Sequence, residues 1–205
     1  MSNTESTPQQ AALTVALDMP SARVLADQAS VVADLELVME CCKRLLAELD
    51  KPDTERDGVV PLALWSSAVV AYARCFGADG KSGLSVADVE SLTLQGAVLK
   101  FHEWVIGERN ILTEHAADPF DAAKVGAALT AAGGKDRRIE GIAVFSHSRV
   151  LIDVTGARQL GGLASELAKQ TALKAQKQQD TVLSDAQRVD ISTLYEAPPL
   201  PVQPL

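Results

Sequence analysis

Eight positions set the frame of this chain. Val24, Gln28, Val31, Leu35, Val38, Cys42, Leu45 and Leu49 recur at alternating steps of four and three residues, and only Gln28 among them is polar. That spacing lays one apolar stripe along a helix and is incompatible with the two-residue period of a strand. It predicts a long helix over about 22–50, with Ser21 as its N-cap after Pro20. The end is equally legible. Asp50-Lys51-Pro52 closes the stripe, and proline disfavours helical geometry in the residue before it.

The same period continues downstream. Pro61 suits a first helical turn, and Leu64, Trp65, Ala68, Val69, Tyr72 and Phe76 then share a face, with Gly77 as the stop. Ser85 and Asp88 form a helix-start signal. Val89, Leu92, Gly96, Leu99, Glu103 and Ile106 step onward from it, predicting a third helix over about 86–106. Gly107 then predicts a kink or a fresh turn that aims Arg109 and His115 into a common space. Asp118-Pro119 ends that element. Beyond it the period shortens to two. Val125, Ala127 and Leu129 alternate, Gly133-Gly134 marks a turn, and Ile142 and Val144 alternate again. This predicts a β-hairpin with strands at about 124–130 and 139–146, and a third strand at 149–153. Leu160, Leu163, Leu167 and Thr171 open a last helix over about 157–179, whose stripe fades into Lys174, Gln176, Lys177, Gln178 and Gln179. The end, Pro198 to Pro204, is polyproline-like.

The expected architecture is therefore mainly α: an antiparallel helical bundle with an appended β-hairpin and C-terminal helix. A flexible N-terminus spans 1–20, a single helical domain 21–180, and an extended Pro-rich tail 181–205. The 205 residues are 47% hydrophobic but only 4% aromatic, so the core is expected to be built of Leu, Val and Ala, which suits helices better than a β-sandwich. A net charge of -8 argues against a general nucleic-acid coat while leaving room for a small basic site. Cys41, Cys42 and Cys75 read as reduced core thiols of a cytoplasmic protein, and no CxxC pair offers a zinc site. The polar stretch Ser2 to Gln10 does not read as a secretory signal, and no apolar run reaches the ~18 residues of a membrane span.

Several chemistries fail on spacing. His102-Glu103 begins a zinc-protease motif, but Ile106 stands where the second histidine belongs. Lys81-Ser82 lacks the glycine that a phosphate loop places before its lysine. His147, between Ser146 and Ser148, has neither a nucleophile elbow nor an orienting acid and reads as a loop histidine. Glu114, Asp118 and Asp121 match no calcium loop. No metal and no cofactor is expected. Arg74 sits among apolar residues and calls for a carboxylate partner, or, in the sharper reading, for a substrate phosphate. His102 lies seven residues before Arg109, nearly on the same helix face, and reads either as a core-edge residue or as a second substrate contact.

The segment Glu108-Arg109-Asn110-Ile111-Leu112-Thr113-Glu114-His115 carries what remains. Arginine is a permanent planar cation suited to phosphate oxygens, asparagine positions a neighbour through both donor and acceptor atoms, and histidine exchanges a proton near neutral pH. Arg109, the polar Asn110, and His115 five residues beyond Asn110 resemble the Arg-x(4–6)-His signature of the HEPN superfamily. Those are small α-helical domains, many of them metal-independent ribonucleases. The resemblance is strict over about seven residues, and a tyrosine found soon after the histidine in several members is absent here. It implies an endoribonuclease acting by attack of the RNA 2′-OH on its own phosphate, in a toxin or antiphage setting. His115 would move protons, Arg109 would stabilise phosphoryl charge, and Asn110 would position His115 or the RNA. One histidine per chain is thin for both acid and base, so the resemblance also implies a homodimer that brings two motifs into one cleft. Two other functions suit the same residues: a catalytically silent helical dimer that binds a protein partner such as an antitoxin or defence subunit, and a nucleotide sensor whose Arg109 holds a phosphate without cleaving it.

Overall fold

The computed structural model describes residues 13–77, 83–113, 124–130, 138–145 and 153–200. Among them are six helices and one two-stranded antiparallel hairpin, so the chain is mainly α. Helix α1 (Pro20–Leu49) and helix α5 (Val154–Ala186) are the two long members. They run antiparallel: Gly161 of α5 abuts Cys42 of α1, while Gln178 Nε2, further along α5, donates to Ser21 O at the start of α1 at 2.9 Å. Helix α2 (Val60–Arg74) also packs against α1. The short α3 (Val86–Glu90) and then α4 (Val98–Thr113) follow, with α4 against α2.

The stripe that frames the sequence is the core. Val31, Leu35, Val38, Cys42 and Leu45 are buried, together with Trp65, Val69 and Tyr72 of α2, Val105 of α4, and Leu160, Leu163 and Leu167 of α5. A helix that presents apolar residues at these steps is stabilised mainly by burying them against such neighbours, since isolated helical turns are marginal in water. Polar ties then fix the ends. Arg56 Nη2 donates to Leu49 O at 2.8 Å and to Lys51 O at 3.0 Å, satisfying carbonyls at the end of α1. Ser85 and Asp88 form the reciprocal cap of α3 that their spacing predicts, and the same Asp88 pairs with Lys174 of α5.

Four local departures have physical causes. The N-cap of α1 is Met19, with Pro20 in the first turn, because proline's fixed φ and missing donor suit that position; Ser21 lies inside the helix. The single helix predicted over 86–106 is two helices. Gly96 adopts φ 99, a left-handed geometry that glycine reaches without steric cost, and residues 91–97 cross between α3 and α4. Conversely, Gly107 starts no fresh helix and sits within the continuous helix α4. Helix α5 outlasts its predicted end at about 179, reaching Ala186, and α6 (Ile191–Glu196) follows within the segment expected to be an extended tail. The two ends of the described chain meet in an antiparallel bridge between Val15 and Pro199, with Ala16 N donating to Pro198 O at 3.1 Å and Leu200 N to Thr14 O at 2.9 Å.

The hairpin strands are β1 (Lys124–Leu129) and β2 (Ile139–Phe145), paired antiparallel with Val125 opposite Val144 and Ala127 opposite Ile142. A bulge lies between Ala128 and Leu129. The predicted third strand at 149–153 and the turn at Gly133-Gly134 lie outside the described residues, apart from Asp153, which caps α5 by accepting from Gly156 N at 2.5 Å.

Candidate functional site

Helix α4 carries the candidate motif, and the residues singled out from the sequence lie at different distances along it from the core. On the inner face, His102 is buried and its Nδ1 lies 2.9 Å from the Tyr72 hydroxyl. The ring also packs against Phe76, with centroids 4.5 Å apart. Burial pushes the His102 imidazole below its ordinary value, with the Glu103 carboxylate opposing. His102 is therefore a neutral, hydrogen-bonded group buried between α2 and α4.

Near its C-terminal end α4 runs beyond the core, so that Arg109, on nearly the same face as His102 but about two turns further on, stands in solvent. Arg109 and Asn110 are both exposed, and Arg109 Nη1 donates to Asn110 Oδ1 at 3.1 Å. Ile111 and Leu112 beside them are also exposed. Because α4 is continuous through Gly107, Arg109 is presented within helix rather than after a break. His115, with Glu114, Asp118 and Asp121, lies outside the described residues, as does His147.

Arg74 is accounted for by a structural partner. At the end of α2 its Nε donates to Asp34 Oδ2 of α1 at 3.2 Å, and Nη2 contacts the second carboxylate oxygen, a two-pronged pairing that suits the guanidinium fork. This pairing takes up the cation that sequence reasoning offered as a substrate contact.

The cysteines behave as core thiols. All three are free and buried. Burial raises the Cys42 and Cys75 thiols to about 12, so both are protonated at neutral pH. Among the described residues no group of three or more His, Cys, Asp or Glu is gathered closely enough to hold a metal ion. Nor is any described helix long and apolar enough to cross a membrane.

In comparisons with known proteins, no family model, curated protein or solved structure matches this chain.

Proposed function

We propose that this protein is a metal-independent endoribonuclease of HEPN type. The observation that carries the reading is the placement of Arg109 and Asn110 side by side near the exposed C-terminal end of α4, hydrogen-bonded to one another and outside the core. The two additional substrate contacts offered from the sequence have partners within the chain, His102 on Tyr72 and Arg74 on Asp34. In the proposed reaction the RNA 2′-oxygen bonds to phosphorus, its proton passing to a base. The bond from phosphorus to the 5′-oxygen breaks, and that oxygen takes a proton from an acid. The products are a 2′,3′-cyclic phosphate and a 5′-hydroxyl. His115 supplies a proton-transfer group and Arg109 offsets charge on the non-bridging oxygens. A homodimer supplies the second histidine.

The test is cleavage of total RNA in EDTA by the full chain and by its Arg109→Ala and His115→Ala variants. Cleavage by the parent that both substitutions abolish supports the reading. A folded, dimeric parent that leaves RNA intact, or cleavage that survives both substitutions, overturns it.

A second reading, a catalytically silent dimer serving as an interaction module, is favoured by the hairpin. Val125, Leu129, Ile139, Ile142 and Val144 are each about two-thirds exposed, and the strand register puts Val125, Val144 and Ile142 on one face. A two-stranded hairpin is marginal alone, and an apolar face of this kind is self-complementary under two-fold symmetry. Under this reading Ile142→Lys with Val144→Lys yields a monomer in light scattering, and the parent shows no ribonuclease activity. Nucleotide binding that Arg109→Ala abolishes, with no RNA cut, would favour a phosphate-sensing role instead.

A further inference from the structure

A cavity of about 450 Å³ opens between the segment 94–101 and the early turns of α5. Its apolar lining comes from Leu94, Val98, Phe101 and Leu163, and two cations, Lys100 and Arg158, stand at the same cavity. The size and the combination of an apolar lining with a few convergent charged groups are those of a small-molecule site.

The cations are unusual for this surface. The chain is acidic overall, with a net charge of -8, and many of its basic side chains are matched: Arg23 with Asp18, Arg44 with Glu40, Lys169 with Glu166, Lys174 with Asp88. Among the described residues neither Lys100 nor Arg158 has a carboxylate in an ion pair. Two residues whose cations make no ion pair among the described residues thus line one apolar hollow.

A second, independent observation comes from α5. Gly161 and Gly162 are adjacent in mid-helix, where glycine is the poorest helix former after proline. Gly161 has a packing reason, since a Cβ there would lie 3.3 Å from Cys42 Cβ. Gly162 has none: a Cβ there would meet nothing within 4 Å. The position is exposed and lines the cavity. Gly96, whose φ of 99 only glycine adopts readily, shapes the opposite wall.

We infer that this cavity binds a small amphiphilic organic anion, its apolar or aromatic body seated on Phe101, Val98 and Leu163 and its phosphate or carboxylate held by Lys100 and Arg158. The site is distinct from the motif at Arg109: Lys100 and Arg109 are nine positions apart on one helix, about 14 Å along its axis. The inference therefore does not rest on the ribonuclease reading.

The experiment is an amide-resolved NMR titration of the full chain with 1-naphthyl phosphate, 1-naphthoate, 1-naphthol and inorganic phosphate. The expected result is saturable shifts confined to residues 94–101 and 158–163. One of the two naphthyl anions binds at least about tenfold more tightly than 1-naphthol or inorganic phosphate, and which one does so assigns the headgroup. Gly162→Leu, which fills the cavity from open space, weakens that binding at least about tenfold with unchanged helix content. Lys100→Gln and Arg158→Gln remove the preference for the anion over 1-naphthol, which keeps the inference testable should the leucine variant fail to fold. Shifts scattered away from the cavity, equal affinity for 1-naphthol and the anions, or no binding of any probe at millimolar concentration would overturn it.

Discussion

The Tyr72 hydroxyl and His102 Nδ1 meet at 2.9 Å in the buried seam between α2 and α4. The ring is held neutral there, and its ordinary value of 6.5 is lowered by burial. The sign of the pH dependence follows. Below about 6.5 the unfolded chain takes up a proton on this ring more readily than the folded one, so unfolding is coupled to proton uptake. The stability contribution is fully present above 6.5 and is lost as pH falls towards the lowered folded value. The expected outcome is a urea midpoint that declines between pH 7 and pH 5, with a shallower decline in His102→Gln. Tyr72→Phe leaves Nδ1 buried without its partner and is expected to cost about 1–3 kcal/mol at pH 7. A midpoint independent of pH in the parent over this window would remove His102 from the account.

Asn110 separates positioning from chemistry at the proposed reaction site. Its Oδ1 accepts from Arg109 Nη1 at 3.1 Å, so it orients the guanidinium rather than supplying charge. If the ribonuclease reading holds, Arg109→Ala lowers the cleavage rate by about 10²-fold or more through lost transition-state charge stabilisation. Asn110→Ala gives a smaller loss and Asn110→Asp an intermediate one. Arg109 and Asn110 are exposed, so neither alanine variant shifts the thermal midpoint appreciably. Rates and melting curves on the same preparations check both halves of the expectation.

Arg74 gives the opposite pattern. Its carboxylate partner Asp34 joins α2 to α1, and the Arg74 side chain is 58% exposed, so the pair is only modestly stabilising. Arg74→Ala is expected to destabilise by about 1 kcal/mol or less, and a double-mutant cycle with Asp34→Ala recovers the coupling. RNA cleavage, where present, stays at the parental rate. A selective loss of cleavage in a fully folded Arg74→Ala protein would return this arginine to the substrate.

How far the sequence revealed these features depends on what each signal measures. The stripe from Val24 to Leu49 is read correctly because its spacing reports burial: the structure buries its central members Val31, Leu35, Val38, Cys42 and Leu45, while Val24, Gln28 and Leu49 towards its ends are half-buried. The break at 91–97 is hidden because Leu92, Gly96 and Leu99 keep helical spacing, while backbone conformation at Gly96 leaves no trace in a hydrophobic pattern. Gly107 misleads for the mirror reason: glycine permits a break without requiring one, and α4, with His102 and Val105 buried, continues through it. Helix α5 runs past its stripe because polar residues do not end a helix; Val182 is buried and Gln178 reaches Ser21 O, two contacts too sparse to form a period. At the site, residue type and spacing pick out Arg109 and Asn110. The fate of Arg74 and His102 depended on partners 40 and 30 positions distant.

The thiols offer a probe of opening. Burial holds the Cys42 and Cys75 thiols at about 12, so the native protein presents almost no thiolate from either at pH 8. Cys41 is raised as well, burial being the main cause. All three are expected to react slowly with a disulfide reagent in buffer and promptly in denaturant. Their native-state rates should follow the opening of the α1–α2 and α1–α5 packing rather than reagent concentration at saturation. A prompt stoichiometric reaction of Cys42 or Cys75 in the native protein would show that the core opens far more readily than its packing implies.

The neighbouring glycines of α5 are expected to respond in opposite directions to the same substitution. Alanine is favoured over glycine in a helix interior by about 1 kcal/mol, so both sites gain the same propensity term. At Gly162 nothing lies within 4 Å of the added carbon, and Gly162→Ala should stabilise by most of that amount. At Gly161 the added carbon sits 3.3 Å from Cys42 Cβ, which belongs to the backbone-anchored core of α1 and cannot swing aside. The antiparallel helices must separate slightly there, so Gly161→Ala loses packing along α1 and is expected to be neutral to destabilising, by up to about 1–3 kcal/mol. Cys42→Ala leaves that Cβ in place but removes the sulfur beside it, which eases a small shift of α1. The double variant should therefore recover part of the loss. Chemical denaturation of the three single variants and the pair measures each difference, and equal stabilisation at both glycines would show that the α1–α5 seam is looser than 3.3 Å contact implies.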